Sequence, residues 1–101
     1  MKEIQAQFLG RFSETARGRL ARMRAAITDP HGAGLATVIH ELHSFAGESG
    51  LLGYSQFVAI ARDGEAEAKR RQAGGSADAT FALDVVARLE QMLDELTAPT
   101  S

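Results

Sequence analysis

Cysteine is absent from this chain of 101 residues, so neither a disulfide framework nor a thiolate zinc site can hold it together, and packing must supply its stability. That composition suits a reducing compartment. No apolar run approaches the roughly 20 residues that cross a bilayer. The start places Lys2 and Glu3 ahead of a mixed polar and apolar pattern, without the apolar stretch and small-residue cleavage site of a secretion signal. A cytoplasmic chain with no membrane association is therefore expected. A large charge of one sign is also lacking: 11 basic against 13 acidic residues leave a net charge of -2, far from the positive field on which nonspecific nucleic-acid binding depends. Nor is there a glycine-rich phosphate loop or a lysine-and-acid set for ATP. An enzyme with its own catalytic site is not expected, and neither is a cofactor.

What the chain does have is 45% hydrophobic residues, enough for one modest core, so residues 1–101 are expected to form a single domain. Only two prolines occur, Pro30 and Pro99, both outside the periodic segments, and no alternating stretch argues for a strand. The first segment, about residues 3–28, repeats Ile4, Phe8, Phe12, Ala16, Leu20, Met23 and Ile27 at helical spacing. Gly10 and Gly18 weaken it, which allows a short leading helix followed by a longer one. Asp29, Pro30, His31 and Gly32 read as a break. A second helix over about 34–52 buries Leu35, Val38, Leu42, Phe45 and Leu52, and Gly53 is placed to end it. A third, about 54–72, carries Phe57, Val58, Ala61, Glu65 and Ala68 on one stripe. After the loop of Ala73, Gly74, Gly75 and Ser76, with Ser76 or Asp78 as cap, a fourth over about 77–97 turns Phe81, Val85, Leu89, Met92, Leu93 and Leu96 inward. The expected fold is all-α: an antiparallel up-and-down four-helix bundle.

Charge is unevenly placed. Arg11, Arg17, Arg19, Arg22 and Arg24 crowd the first quarter, whereas the last segment holds Asp84, Glu90, Asp94 and Glu95. Two solvated faces account for this, and a basic docking stripe is the sharper alternative.

The chemistry concentrates between His40 and Gly53. With about 100° per residue, the buried side defined by Leu35, Leu42, Phe45 and Leu52 leaves His43 near the edge of the exposed surface. Its own stripe is small: Ala36 and Ile39 before it, Ala46, Gly47 and Gly50 after it. A glycine inside a helix costs about 1 kcal/mol relative to alanine, so Gly47 and Gly50 need a reason. Access for a partner to His43 is one, and close helix packing is the other.

On these residues the chain resembles the histidine phosphotransfer (HPt) domains, whose motif runs histidine, any residue, leucine, lysine, glycine, with a Leu-Gly pair six residues later. Here the run is His43, Ser44, Phe45, Ala46, Gly47, then Leu52 and Gly53. The likeness extends to an apolar residue at Phe57 and an acid at Glu65. It implies a four-helix bundle in which His43 accepts a phosphoryl group from the aspartate of a receiver domain and passes it to another receiver. The expected partners are thus receiver domains of response regulators or hybrid histidine kinases, met by a monomer. One departure stands out, because the family's lysine is Ala46 here. In a hairpin about Gly53, Arg62, Asp63 and Glu65 fall level with His43, where an acid, Asp63 or Glu65, can hold the Nδ1 proton and leave Nε2 free. Docking is expected on Ile39, His40, Ala46, Gly47, Gly50 and Gln56.

Rival readings are weaker. His40 and His43 lie about 60° apart around the helix, workable for two metal ligands, but zinc wants three or four, so no metal is expected and His31 reads as an ordinary exposed residue. A helix-turn-helix fits neither the charge nor the helix lengths. A bundle that binds a receiver or kinase without being phosphorylated is the serious alternative, and Ala46 gives it weight.

Overall fold

The computed structural model describes residues 2–29 and 34–98. Apolar side chains recurring every third or fourth residue wind the described chain into four helices: α1 (Lys2–Thr28), α2 (Gly34–Leu51), α3 (Ser55–Ala73) and α4 (Ala82–Thr97), with no strand among the described residues. Each packs on its neighbours in chain order and α4 closes back on α1, which makes the up-and-down bundle. His31 lies outside the described residues.

α1 is one unbroken helix and not two, because Phe12, Ala16, Leu20 and Met23 bury one continuous stripe that outweighs the glycine cost. A side chain at Gly10 would meet only open space. Phe8, expected on the stripe, is exposed, whereas Phe12 is covered by the core; the Ile4 side chain lies outside the described residues.

Two glycines with left-handed backbone close the central helices. Gly53 has φ 79°; its N–H donates to Gly50 O at 3.2 Å and that of Tyr54 to Ser49 O at 2.9 Å. Gly75, φ 83°, repeats the arrangement with Gln72 and Arg71 as acceptors. These are Schellman ends, which absorb carbonyls the helix leaves unpaired. The first one also corrects Leu52, which lies in the turn beyond α2 and is 40% exposed instead of buried. Leu51 beside it is 88% exposed.

α4 begins at Ala82, later than the expected start. The Asp78 N–H donates to Ser76 Oγ at 3.1 Å and the Thr80 N–H to Asp78 Oδ1 at 2.9 Å. Both side chains therefore cap local turns and not the helix. Phe81 is half-buried under the Arg71 guanidinium, 4.5 Å from the ring centroid.

An aromatic cluster anchors the end of the bundle near Gly53. Phe12 contacts Phe45, Tyr54 and Phe57 at centroid distances of 6.0, 5.0 and 5.7 Å, and Phe45 meets Phe57 at 5.8 Å. Each such pair adds about 0.5–1.5 kcal/mol beyond its buried area. The cluster fixes α2 against α3, and so the spacing of whatever faces out across that seam.

The uneven charge has a structural use. Arg17 pairs with Asp94 at 2.9 Å and Arg24 with Glu90 at 2.6 Å, joining basic α1 to acidic α4. Arg19 and Arg22 reach Glu41 on α2 at 2.9 and 3.3 Å, and Arg19 also holds Glu48. Four of the five arginines are thus engaged between helices and do not form an open docking stripe.

Candidate functional site

α2 turns Leu35, Val38, Leu42, Phe45 and Ser49 inward, which leaves His43 on the opposite surface with 70% of its side chain exposed. The Gly53 turn returns the chain antiparallel, and Glu65 on α3 arrives level with the imidazole. Nδ1 of His43 lies 3.1 Å from Glu65 Oε2. The same oxygen lies 3.1 Å from Nζ of Lys69, one turn further along α3.

Glu65 is buried at the seam while its two partners are exposed. Burial by itself would raise its carboxyl pKa, but hydrogen bonds from Lys69 and His43, with the Lys69 charge, hold it below the ordinary carboxylate range. A carboxylate only accepts hydrogen bonds. Nδ1 must therefore carry the proton, and the Nε2 lone pair points away from Glu65 toward solvent. A nucleophilic nitrogen held in one tautomer and open to a partner is what this arrangement provides.

The surroundings of the ring are bare. A Cβ built at Gly47, one turn beyond His43, would meet nothing within 4 Å, so close packing does not explain that glycine. At Gly50 it would touch Val58 Cγ2 at 3.7 Å, an ordinary contact. The glycine that packing does require is Gly64, where a Cβ would come within 2.9 Å of Leu42 Cδ1 and 3.1 Å of Val85 Cγ1. It lets α3 sit close to both α2 and α4.

Several expected site residues lie elsewhere. Ala46 is fully buried in the core and cannot be a docking contact, because its position on α2 turns toward the bundle. Gln56 is exposed but lines a groove with Arg88, Met92, Glu95 and Leu96 of α4. It is nine residues before Glu65, which puts it about 180° around α3. Asp63 also faces α4, beside Ile60, Gly64, Phe81 and Asp84; of the two acids only Glu65 meets His43. Ile39 is half-buried, and His40 is exposed with Nε2 4.0 Å from Glu41 Oε2. Lys69 was missed by the sequence reading; its spacing of four from Glu65 was the available signal.

Among the described residues no group of three or more His, Asp or Glu side chains is placed to hold a metal ion, and no helix is long and apolar enough to cross a membrane.

The described chain is thus a four-helix bundle in which an exposed histidine, His43, is held by a carboxylate from the neighbouring helix. The family model of the Hpt domain matches residues 7–99, and the chain belongs to that family. Membership implies histidine phosphotransfer within a phosphorelay, and Hpt domains are phosphocarriers. Hpt domains typically interact with receiver domains. No curated protein and no solved structure matches the chain significantly.

Proposed function

We propose that His43 is the phosphoacceptor of this Hpt domain, loaded by the aspartyl phosphate of one receiver domain and unloaded onto the aspartate of another, in the cytoplasm. The Nε2 lone pair attacks phosphorus, the bond from phosphorus to the acyl oxygen breaks, and the aspartate leaves as carboxylate. The Nδ1 proton stays in place. The ring thereby becomes a cation, which the ionised Glu65 offsets through the bond it already makes. Unloading reverses these steps, so no proton enters or leaves the pair.

The observation that carries this reading is the exposed imidazole with Nδ1 pinned by a buried carboxylate and no side chain at Gly47 beside it. Ile39, His40 and Gly47 lie about one turn from His43 on α2 and Gly50 about two turns beyond it, and together they form the proposed receiver-contacting face. The retained histidine favours transfer over mere binding of a receiver or kinase.

The test is incubation with phosphorylated receiver domains. Wild-type protein gains an acid-labile phosphate and the His43→Gln variant gains none. A stable complex without label, or label that persists in His43→Gln, overturns the assignment.

A further inference from the structure

The motif position that holds a lysine in the resembling family is Ala46, sealed inside the core, so the cation expected beside the phosphoryl group is missing from α2. A cation is nonetheless present, supplied by the other helix of the hairpin. Lys69 Nζ and His43 Nδ1 each lie 3.1 Å from the single oxygen Oε2 of Glu65. Two contacts of that length to one atom place the ammonium no more than about 6.2 Å from the imidazole.

The other basic residues of α3 are placed differently. Arg70 and Arg71 are tied to Glu67 at 2.9 and 3.1 Å. Arg62 is exposed, makes no ion pair with a described residue, and lies one turn nearer Gly53 than Glu65 does. Side chains on a helix lean toward its N-terminus, so the His43 ring inclines over the Ile39 turn. In an antiparallel hairpin whose register pairs residue 43 with residue 65, that turn is level with Lys69.

We infer that Lys69 is the phosphoryl-contacting cation of this domain, taking from α3 the part left vacant at Ala46; the inference rests on His43 being the phosphoacceptor. Before transfer Glu65 parks the ammonium next to the ring. When a phosphoryl group joins Nε2, it brings two negative charges and three acceptor oxygens to the exposed side of the imidazole. Lys69, 61% exposed on a flexible four-carbon stem, then moves from the carboxylate to a phosphoryl oxygen. It keeps its three protons throughout, and the bonds made and broken are those at Nε2 and the acyl oxygen alone.

The alternative role for Lys69 is to act only through Glu65, tuning the carboxylate and never touching phosphate. The experiment separates the two and also separates this inference from the assignment of His43. Wild type, His43→Gln, Lys69→Ala, Lys69→Arg and Arg62→Ala are each loaded from the same phosphorylated receiver, after circular dichroism has verified the fold. Loading rate and phosphohistidine half-life are then measured. Failure of wild type to label, or labelling of His43→Gln, refutes the phosphoacceptor assignment itself. With that assignment intact, Lys69→Ala is expected to load roughly tenfold more slowly and to hold a shorter-lived phosphohistidine, as for loss of one partly solvated charged donor. Lys69→Arg should recover most of both, and Arg62→Ala should match wild type. A Lys69→Ala variant with wild-type half-life overturns the inference, because a cation bound to the phosphoryl group cannot be removed without changing its lifetime. Equal slowing in Arg62→Ala, or no recovery in Lys69→Arg, overturns it as well.

Discussion

Two buried glutamates lie on the two seams of α2, and they are put to opposite uses. Glu41 faces α1 and is held by Arg19 and Arg22; Glu65 faces α2 from α3 and is held by His43 and Lys69. Each side chain is 8% exposed, and each carboxyl, although burial pushes it upward, is brought below the ordinary range by the partners that donate to it. The difference lies in those partners. Arg19, at 18% exposure, is permanently charged and shut in, so Glu41, together with Glu48, neutralises a charge held away from solvent. His43 and Lys69 stand in solvent, so the Glu65 contacts can break and re-form at little cost. A buried acid braces the bundle when its partners are trapped and leaves them within reach of a visitor when they stand in solvent.

The sharpest way to break this contrast is to remove both carboxylates in turn. Glu41→Ala leaves Arg19 with Glu48 as its remaining carboxylate in the seam and should cost about 1–2 kcal/mol of folding stability in urea melts, while transfer per folded molecule stays at the wild-type rate. Glu65→Ala should do the reverse. Its former partners rehydrate, so stability should change by less than about 1 kcal/mol, but loading of His43 should slow roughly tenfold, equivalent to about 1.4 kcal/mol of barrier. Equal stability losses in the two variants would erase the distinction.

A second pair sharpens it. Gly64→Ala forces a methyl group against Leu42 and Val85 and should destabilise by about 1–2 kcal/mol, whereas Gly47→Ala enters open space and should stabilise by about 0.5–1 kcal/mol. Thermal melts of the two variants should shift in opposite directions.

The smallest effect is that of acid. Glu41 and Glu65 have folded-state pKa values below their ordinary value of 4.5, so the unfolded chain binds more protons as the pH falls through that range. Their contribution is complete above the ordinary carboxylate range and disappears as the pH drops through the lowered folded values. Melting temperatures of wild type should therefore be flat near neutrality and fall in acid, and Glu41→Gln should show a shallower acid slope. An equal slope would mean that Glu41 is not responsible.

Much of this was legible in the residues themselves. Helical spacing located four helices, Gly53 marked the turn, and the phase of Leu35, Leu42 and Phe45 was enough to turn His43 outward. Hairpin counting brought α3 level with it but left Asp63 and Glu65 both standing. The phase of α3 separates them, since Phe57, Ala61 and Ala68 bury the side that holds Glu65 and leave Asp63 on the side of α4. Docking on Ala46 failed for the same reason: its small size was weighed and its inward direction was not. The start of α4 was misplaced because Ser76 and Asp78 satisfy backbone groups two residues on, which resembles a helix cap in composition alone. The pairing of α1 arginines with Glu41, Asp94 and Glu90 depends on how whole helices lie against one another, and no local pattern records that.

The turn at Gly53 also decides what kind of change the site can survive. His43 and Glu65 are separated by 22 positions that comprise a helix end, a left-handed corner and a helix start, each of fixed rise and rotation. One residue inserted between Ser55 and Gly64 would swing the carboxylate about 100° and roughly 1.5 Å along its axis, out of reach of the ring. Most positions in that stretch can change chemical character without disturbing the pair. The pair depends on length as well as on the buried residues and the Gly53 corner, so divergent descendants of this chain should vary at the exposed positions here while keeping the count.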